Sequence, residues 1–278
     1  MTQTETIDAA RRFGGVSRLY GPDGMAKLRA AHICIIGIGG VGSWAAEAAA
    51  RNAVGTITLI DLDHIAESNV NRQLHALAGE FGKAKVTAMA ERIGRINPDA
   101  AVIEIEDFVT PENVGELLTK QFSGVIDCID DAKAKAAIAA FCVANNIPLV
   151  MTGAAGGRLD ATRIKQADLS LVSHDKLLAK VRHLLRRDYG FAKAVNAKNK
   201  AKKLAVPCIY SDETVRLPER SCELPDQEVE VTAITGLNCA GYGSSVCVTA
   251  PFGFAAAGLL MQQLLNTAKP KDTILATQ

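Results

Sequence analysis

Gly37-Ile38-Gly39-Gly40-Val41-Gly42 follows the apolar run Ile33-Cys34-Ile35-Ile36 and leads into the alanine-rich stretch from Val41 to Ala53. A short apolar run ending in glycines reads as a buried parallel strand, and the alanine-rich stretch as a helix. Glycines between them permit a tight turn and let the backbone approach a phosphate, which the helix N-terminus favours through its amides and dipole. The stretch predicts the first strand-turn-helix unit of a nucleotide-binding sheet.

Alternation continues downstream. Strands are expected at Thr56 to Ile60, Ala101 to Ile105, Gly124 to Ile129 and Pro148 to Met151, with helices at Lys83 to Ile96, Pro111 to Lys120 and Asp131 to Asn145. Such alternation means a Rossmann-like α/β fold: a mostly parallel sheet with helices on both faces. After Thr152 the character changes. Gly153 to Gly157 reads as a loop, Ala161 to Ala167 as a further strand, and Cys208 to Glu230 as irregular. No repeat or long linker divides the chain. A single domain over 1–278 is expected, with a helical arm at 1–30, a core at 31–152 and an elaborated C-terminal half at 153–278.

The 278 residues are 48% hydrophobic and 22% charged, with a net charge of +1, so no global field draws the chain to nucleic acid or membrane. Met1 to Arg12 is polar and carries no signal peptide pattern. Seven widely spaced cysteines form no C-x-x-C pair, which argues against a disulfide framework or a zinc site and for a reduced, cytoplasmic protein. Val246 to Leu265 is nearly uncharged and long enough for a bilayer, but Pro251, Gly253, Gly258 and two glutamines interrupt it. A buried core helix is the expectation there, with membrane association as the alternative.

Asp61 ends the second expected strand 19 residues after Gly42, where a carboxylate meets ribose hydroxyls. The glycines (Gly37, Gly39, Gly40, Gly42) and Asp61 would suit a nicotinamide cofactor as well as ATP. Asn69, Asn71, Arg72, Gln73 and Lys85 favour ATP, because β- and γ-phosphates need cations and amides, and Asp63 is a further candidate at the nucleotide beside Asp61. Asp130 and Asp131 close the fourth strand at the carboxyl edge, where a carboxylate can hold Mg2+.

The run from Ile33 to Asp131 resembles the adenylyl-transfer domain shared by ubiquitin-activating enzymes and bacterial MoeB- and ThiF-type proteins. The resemblance rests on the G-x-G-G-x-G turn, Asp61-Leu62-Asp63, Ser68-Asn69-Val70-Asn71-Arg72-Gln73, Lys85 and Asp127-Cys128-Ile129-Asp130. It implies that Gly40 and Asp61 contact the nucleotide, that Asn71, Arg72 and Lys85 contact phosphates, and that Asp130 binds Mg2+. Zinc-binding C-x-x-C pairs typical of MoeB and ThiF proteins are missing. Arg12-Phe13-Gly14-Gly15-Val16-Ser17-Arg18-Leu19-Tyr20-Gly21, Asn71-Arg72-Gln73-Leu74-His75-Ala76 and Thr249-Ala250-Pro251-Phe252-Gly253-Phe254 resemble instead the tRNA threonylcarbamoyladenosine dehydratase branch. That branch implies ATP-dependent dehydration of a modified adenosine in tRNA, with Arg72, Lys85 and Asp130 catalytic and Cys239 a candidate relay. It also implies a homodimer with Arg12 or Arg18 reaching the partner's site, and leaves open a cysteine desulfurase or sulfur-acceptor partner. The alternative is adenylylation of a ubiquitin-like sulfur-carrier protein.

Ten lysines and arginines fall between Lys176 and Lys203 against one acid, Asp188. A local basic patch on an otherwise acidic chain is the footprint of phosphate binding. Lys176, Lys180, Arg182, Arg186 and Arg187 are the expected tRNA contacts, with Tyr189 and Phe191 available to stack on a base.

Overall fold

A computed structural model describes residues 8–192, 202–216 and 242–266. Seven strands form one sheet in the order β3-β2-β1-β4-β5-β7-β6. The first three are β1 (His32–Ile36), β2 (Thr56–Ile60) and β3 (Ala101–Ile105); β4 (Gly124–Asp127) and β5 (Leu149–Thr152) follow on the other side of β1. These five are parallel. Ile36 is in register with both Ile60 and Asp127, so Gly37, Asp61 and Cys128 emerge side by side. The strand order reverses between β1 and β4, and a crevice opens at the carboxyl ends of such a pair.

Helices α2 (Gly42–Arg51), α3 (Lys85–Ile96) and α7 (Val246–Asn266) share one core with α1 (Ala9–Ala30). Helices α5 (Ala132–Ala144) and α6 (Lys176–Asp188) share another core on the opposite face. Asp8 caps α1 by accepting from Arg11 N, and α1 kinks where Gly21 takes φ +73° ahead of Pro22. Asp131 caps α5 by accepting from Ala134 N at 2.7 Å, and Asp175 caps α6. The short helix expected from Pro111 to Lys120 contracts to one turn, α4 (Val114–Leu117).

The C-terminal half corrects one expectation. Pro207–Ser211, inside the stretch read as irregular, is strand β7. It lies parallel to β5 and antiparallel to β6 (Ile164–Asp168), extending the sheet beyond its parallel core. Its pattern is buried at four of five positions rather than alternating, which hides a strand among prolines and charges.

Helix α7 has the length and apolarity of a membrane span. It packs on α1, α2, β4, β5 and β7. Gly253 permits the close approach to α2: a Cβ there would stand 2.4 Å from Val41 O and 2.8 Å from Trp44 Cβ. This is the core helix expected from the interrupted apolarity.

Candidate nucleotide site

The turn after β1 is shaped by backbone that only glycine can adopt. Gly37 takes φ +82°, and a Cβ on Gly42 would stand 1.8 Å from Gly37 O. Gly39 is open on its outer side, with the Gln73 amide nitrogen 3.9 Å from where a Cβ would be. This leaves a bare backbone surface at the start of α2, the geometry that receives phosphates.

Asp61 fastens the turn to β2. Its Oδ2 accepts from Ile38 N at 2.6 Å and its Oδ1 from Asp63 N at 2.9 Å. Burial pushes its carboxyl up, while Lys85 and the two amides pull it back. The Asp63 side chain is 55% exposed and takes the Lys85 ammonium at 2.6 Å, with Asp61 Oδ1 at 3.9 Å. Backbone bonds place Lys85 there: Lys85 N donates to Asp63 O and Ile65 N to Lys83 O, stapling the start of α3 to the end of β2. Lys85 is therefore buried at the site, not solvated on a helix surface.

The segment from Ser68 to Gln73 folds back over the glycines. Asn69 Oδ1 accepts from Ala66 N, so this amide shapes the turn itself. Arg72 Nη1 donates to Ser68 O at 2.8 Å and to Asn71 Oδ1 at 2.9 Å, and Trp44 Nε1 holds Arg72 O at 3.0 Å. Asn71 Nδ2 reaches Ser244 O at 2.8 Å, joining the segment to the loop before α7.

Across the crevice, Asp130 is exposed at the end of the β4 loop. Asp127, beneath it, is fully buried against Lys135 at 2.9 Å, and its Oδ1 also accepts from Ile129 N. Burial pushes the Asp127 carboxyl up and Lys135 offsets part of this. Burial pushes the Cys128 thiol beside it up to about 12, which disfavours its thiolate. Asp131, expected at the nucleotide, spends one oxygen on the α5 cap. Cys239 lies outside the described residues, as do Lys193, Lys198 and Lys200.

Orphaned polar atoms concentrate at this crevice. Gln73 Oε1, both ring nitrogens of His75, Thr249 Oγ1 and Asp127 Oδ2 are buried without a hydrogen-bond partner. Thr249 adjoins Gly40, its Cγ2 3.5 Å from a Cβ built there. Among the described residues one further buried side-chain atom, Ser170 Oγ, is orphaned, and it lies after β6; buried polar groups are ordinarily satisfied, so the gathering of the other five behind a bare glycine turn fits a polar ligand such as ATP. Asp130 could hold Mg2+ only with phosphate oxygens completing its shell. Two shallow hollows at the amino ends of the strands, lined by Arg12, Phe13, Arg51 and Arg95 and by Arg29, Gly55, Asn97 and Asp99, gather no such atoms.

Sequence comparison agrees with this geometry. Residues 14–273 match the ThiF family.

The chain belongs to the ThiF family.

Among relatives of this ThiF-family chain, a tRNA threonylcarbamoyladenosine dehydratase of Haemophilus influenzae is 45% identical over 257 residues, 92% of this chain and 94% of that protein. The Escherichia coli dehydratase is 44% identical, covering 93% and 95%. The crystal structure of the E. coli enzyme in complex with ATP superposes with a TM-score of 0.81 at 43% identity, over 94% of this chain and 97% of that one.

Sequence reasoning missed three contributors. His75 stood only within a family pattern, and nothing local signals its burial. Trp44 lies inside the alanine-rich helix, and nothing local signals its bond to Arg72 O. Arg158 is fully buried, donating to Ala154 O, Glu213 O and His174 O beside Asp175, and it organises the loops after β5. Its partners lie up to 55 residues away.

The basic segment also resolves. Arg182 Nη1 turns inward to Leu169 O and Val172 O, Arg186 Nε reaches Ala192 O, and Arg187 pairs with Asp188. Lys176, Lys180, His183 and Arg187 remain exposed at helical spacing along one face of α6. The N-terminal Arg12 donates to Arg95 O and Ile96 O, at the C-terminus of α3.

Proposed function

We propose that this chain uses ATP to dehydrate and cyclise N6-threonylcarbamoyladenosine in tRNA by adenylylating the threonyl carboxylate. The observation that carries this is the near full-length likeness to enzymes of that name, one of them solved with ATP, joined to a glycine cradle backed by orphaned polar atoms.

A free carboxylate is a poor electrophile. One of its oxygens attacks the α-phosphorus and pyrophosphate leaves; the carbamoyl group then attacks the acyl carbon, a proton is lost, and AMP departs with the carboxylate oxygen. The net loss is one water. In this reading the protein supplies alignment and charge. Arg72 and Lys85 face the phosphates, Asp61 and Asp63 the ribose, and Asp130 carries Mg2+. Asn71 and Gln73 add amides. Ring closure by the carbamoyl group needs no thiol, so no step is routed through Cys239.

The tRNA lies along α6. That helix begins beside the loops that follow β5, where Asp175 accepts from Ala154 N, and runs away for about 20 Å with Lys176, Lys180 and Arg187 outward. The enzyme acts in the cytoplasm as a homodimer, for which exposed Leu19, Val246 and Phe254 offer apolar surface.

The test is incubation with ATP, Mg2+ and threonylcarbamoyl-modified tRNA, followed by mass spectrometry of the nucleosides. Loss of one water together with AMP supports the proposal. An unchanged nucleoside, with AMP formed only when a Gly-Gly-ended carrier protein is supplied, overturns it.

A further inference from the structure

His75 is 4% exposed, yet neither ring nitrogen has a partner. Gln73, two residues earlier and 5% exposed, has an orphaned Oε1, while its Nε2 faces the Gly39 turn. Ala76, the next residue, packs with Ile65 and Ala88, one turn along α3 from Lys85, and the Lys85 charge acts on the buried His75 ring. Keeping three buried polar atoms unpaired costs stability, and an apolar side chain of similar size would avoid that cost. A residue held at such expense in the free protein points to a partner gained on ligand binding.

We propose that His75 is a positioning residue of the nucleotide site, linking Lys85 to Gln73 when the nucleotide binds. The phosphates draw the Lys85 ammonium away from Asp63. One ring nitrogen of neutral His75 accepts an N–H from that ammonium, and the other donates to Gln73 Oε1. This fixes the Gln73 amide with Nε2 toward the glycine turn. All three orphaned atoms are satisfied at once, and Lys85 keeps its charge for the phosphates. Burial and the nearby Lys85 charge keep the ring neutral, with Glu80 opposing weakly.

The inference rests on the nucleotide reading above, and the experiment separates the two. Calorimetric titration with ATP and Mg2+ would be run on the wild type, His75→Leu and His75→Gln, with thermal denaturation of each free protein. His75→Leu is expected to be as stable as the wild type or more so, and to bind ATP about tenfold more weakly. His75→Gln, which retains a donor and an acceptor, recovers most of the affinity. In parallel, 15N spectra of wild-type imidazoles, assigned by comparison with His75→Gln, should show both His75 nitrogens shifting on ATP addition. A wild type that binds no ATP sinks the nucleotide reading itself. A wild type that binds ATP while His75→Leu binds equally well, or while the His75 resonances stay still, overturns this inference alone. Should His75→Leu fail to fold, the spectra and His75→Gln still decide.

Discussion

The side chain of Arg72 lies against the bare backbone of Gly40: a Cβ at position 40 would stand 3.1 Å from Arg72 Cγ and 3.4 Å from Cδ. One glycine thus makes room both for a ligand on the turn and for the cation above it. Gly40→Ala should leave the fold intact, because a flexible arginine can give way. It should displace the guanidinium and raise the KM for ATP by about tenfold, the worth of one charge-assisted hydrogen bond. Steady-state AMP formation at varied ATP checks this. Gly42→Ala is the contrast: with backbone 1.8 Å from the new carbon, the turn must open and the protein should not accumulate in soluble form.

Asp127 and Lys135 form a buried pair beneath the loop that presents Asp130. Lys135→Met leaves a buried carboxylate without its cation and should cost about 3–5 kcal/mol. The double variant with Asp127→Asn should recover most of that. Urea denaturation of the two proteins measures the difference, and equal stabilities would show that the pair is not coupled.

His75 also predicts an acid response. Burial, then the Lys85 charge, lower its pKa from 6.5 to about 4. The unfolded chain therefore binds a proton below pH 6.5 that the folded protein refuses until about 4. Stability present above pH 6.5 is lost as pH falls through that window, by about 3 kcal/mol. His75→Gln has no such proton to take up. Its denaturation midpoint should fall less between pH 7 and pH 4.5 than that of the wild type.

On α6 the exposed and inward arginines should separate cleanly. Charge reversal at Lys176 and Lys180 should weaken tRNA binding and flatten its salt dependence, by about 0.7–0.9 in log–log slope for each phosphate no longer neutralised. Arg182→Ala should instead lower the melting temperature, since its guanidinium holds Leu169 O and Val172 O. Filter binding at several salt concentrations, with thermal denaturation alongside, distinguishes the two effects.

The sequence was most legible where local sterics dictate conformation. The glycine turn, β1 and the Asp61 strand end follow from residue type and spacing, and β2 and β3 fall where their β-branched and apolar residues place them. Lys85 was found by its place at a helix start, although its burial came from backbone bonds to Asp63 and Ile65 that no short pattern encodes. Strand β7 and buried Arg158 were not legible, because each depends on partners far along the chain: β7 pairs with β5 and β6, and Arg158 with Glu213 and Asp175. Asp131 reads as a ligand because strand-end carboxylates gather at such sites; the structure adds that the same residue is the N-cap of the next helix, a role its position at the strand end does not reveal.

Gly253 seats α7 against α2, and Val246 is synthesised 195 residues after Arg51. At ribosomal speeds of about 5–20 residues per second, the alanine-rich face of α2 waits about 10–40 s for its cover. Through that interval the nascent chain carries an open apolar furrow directly behind its glycine turn. The furrow behind the turn closes only when α7 docks. A product released before α7 would be a client for chaperones and proteases, not a smaller working enzyme.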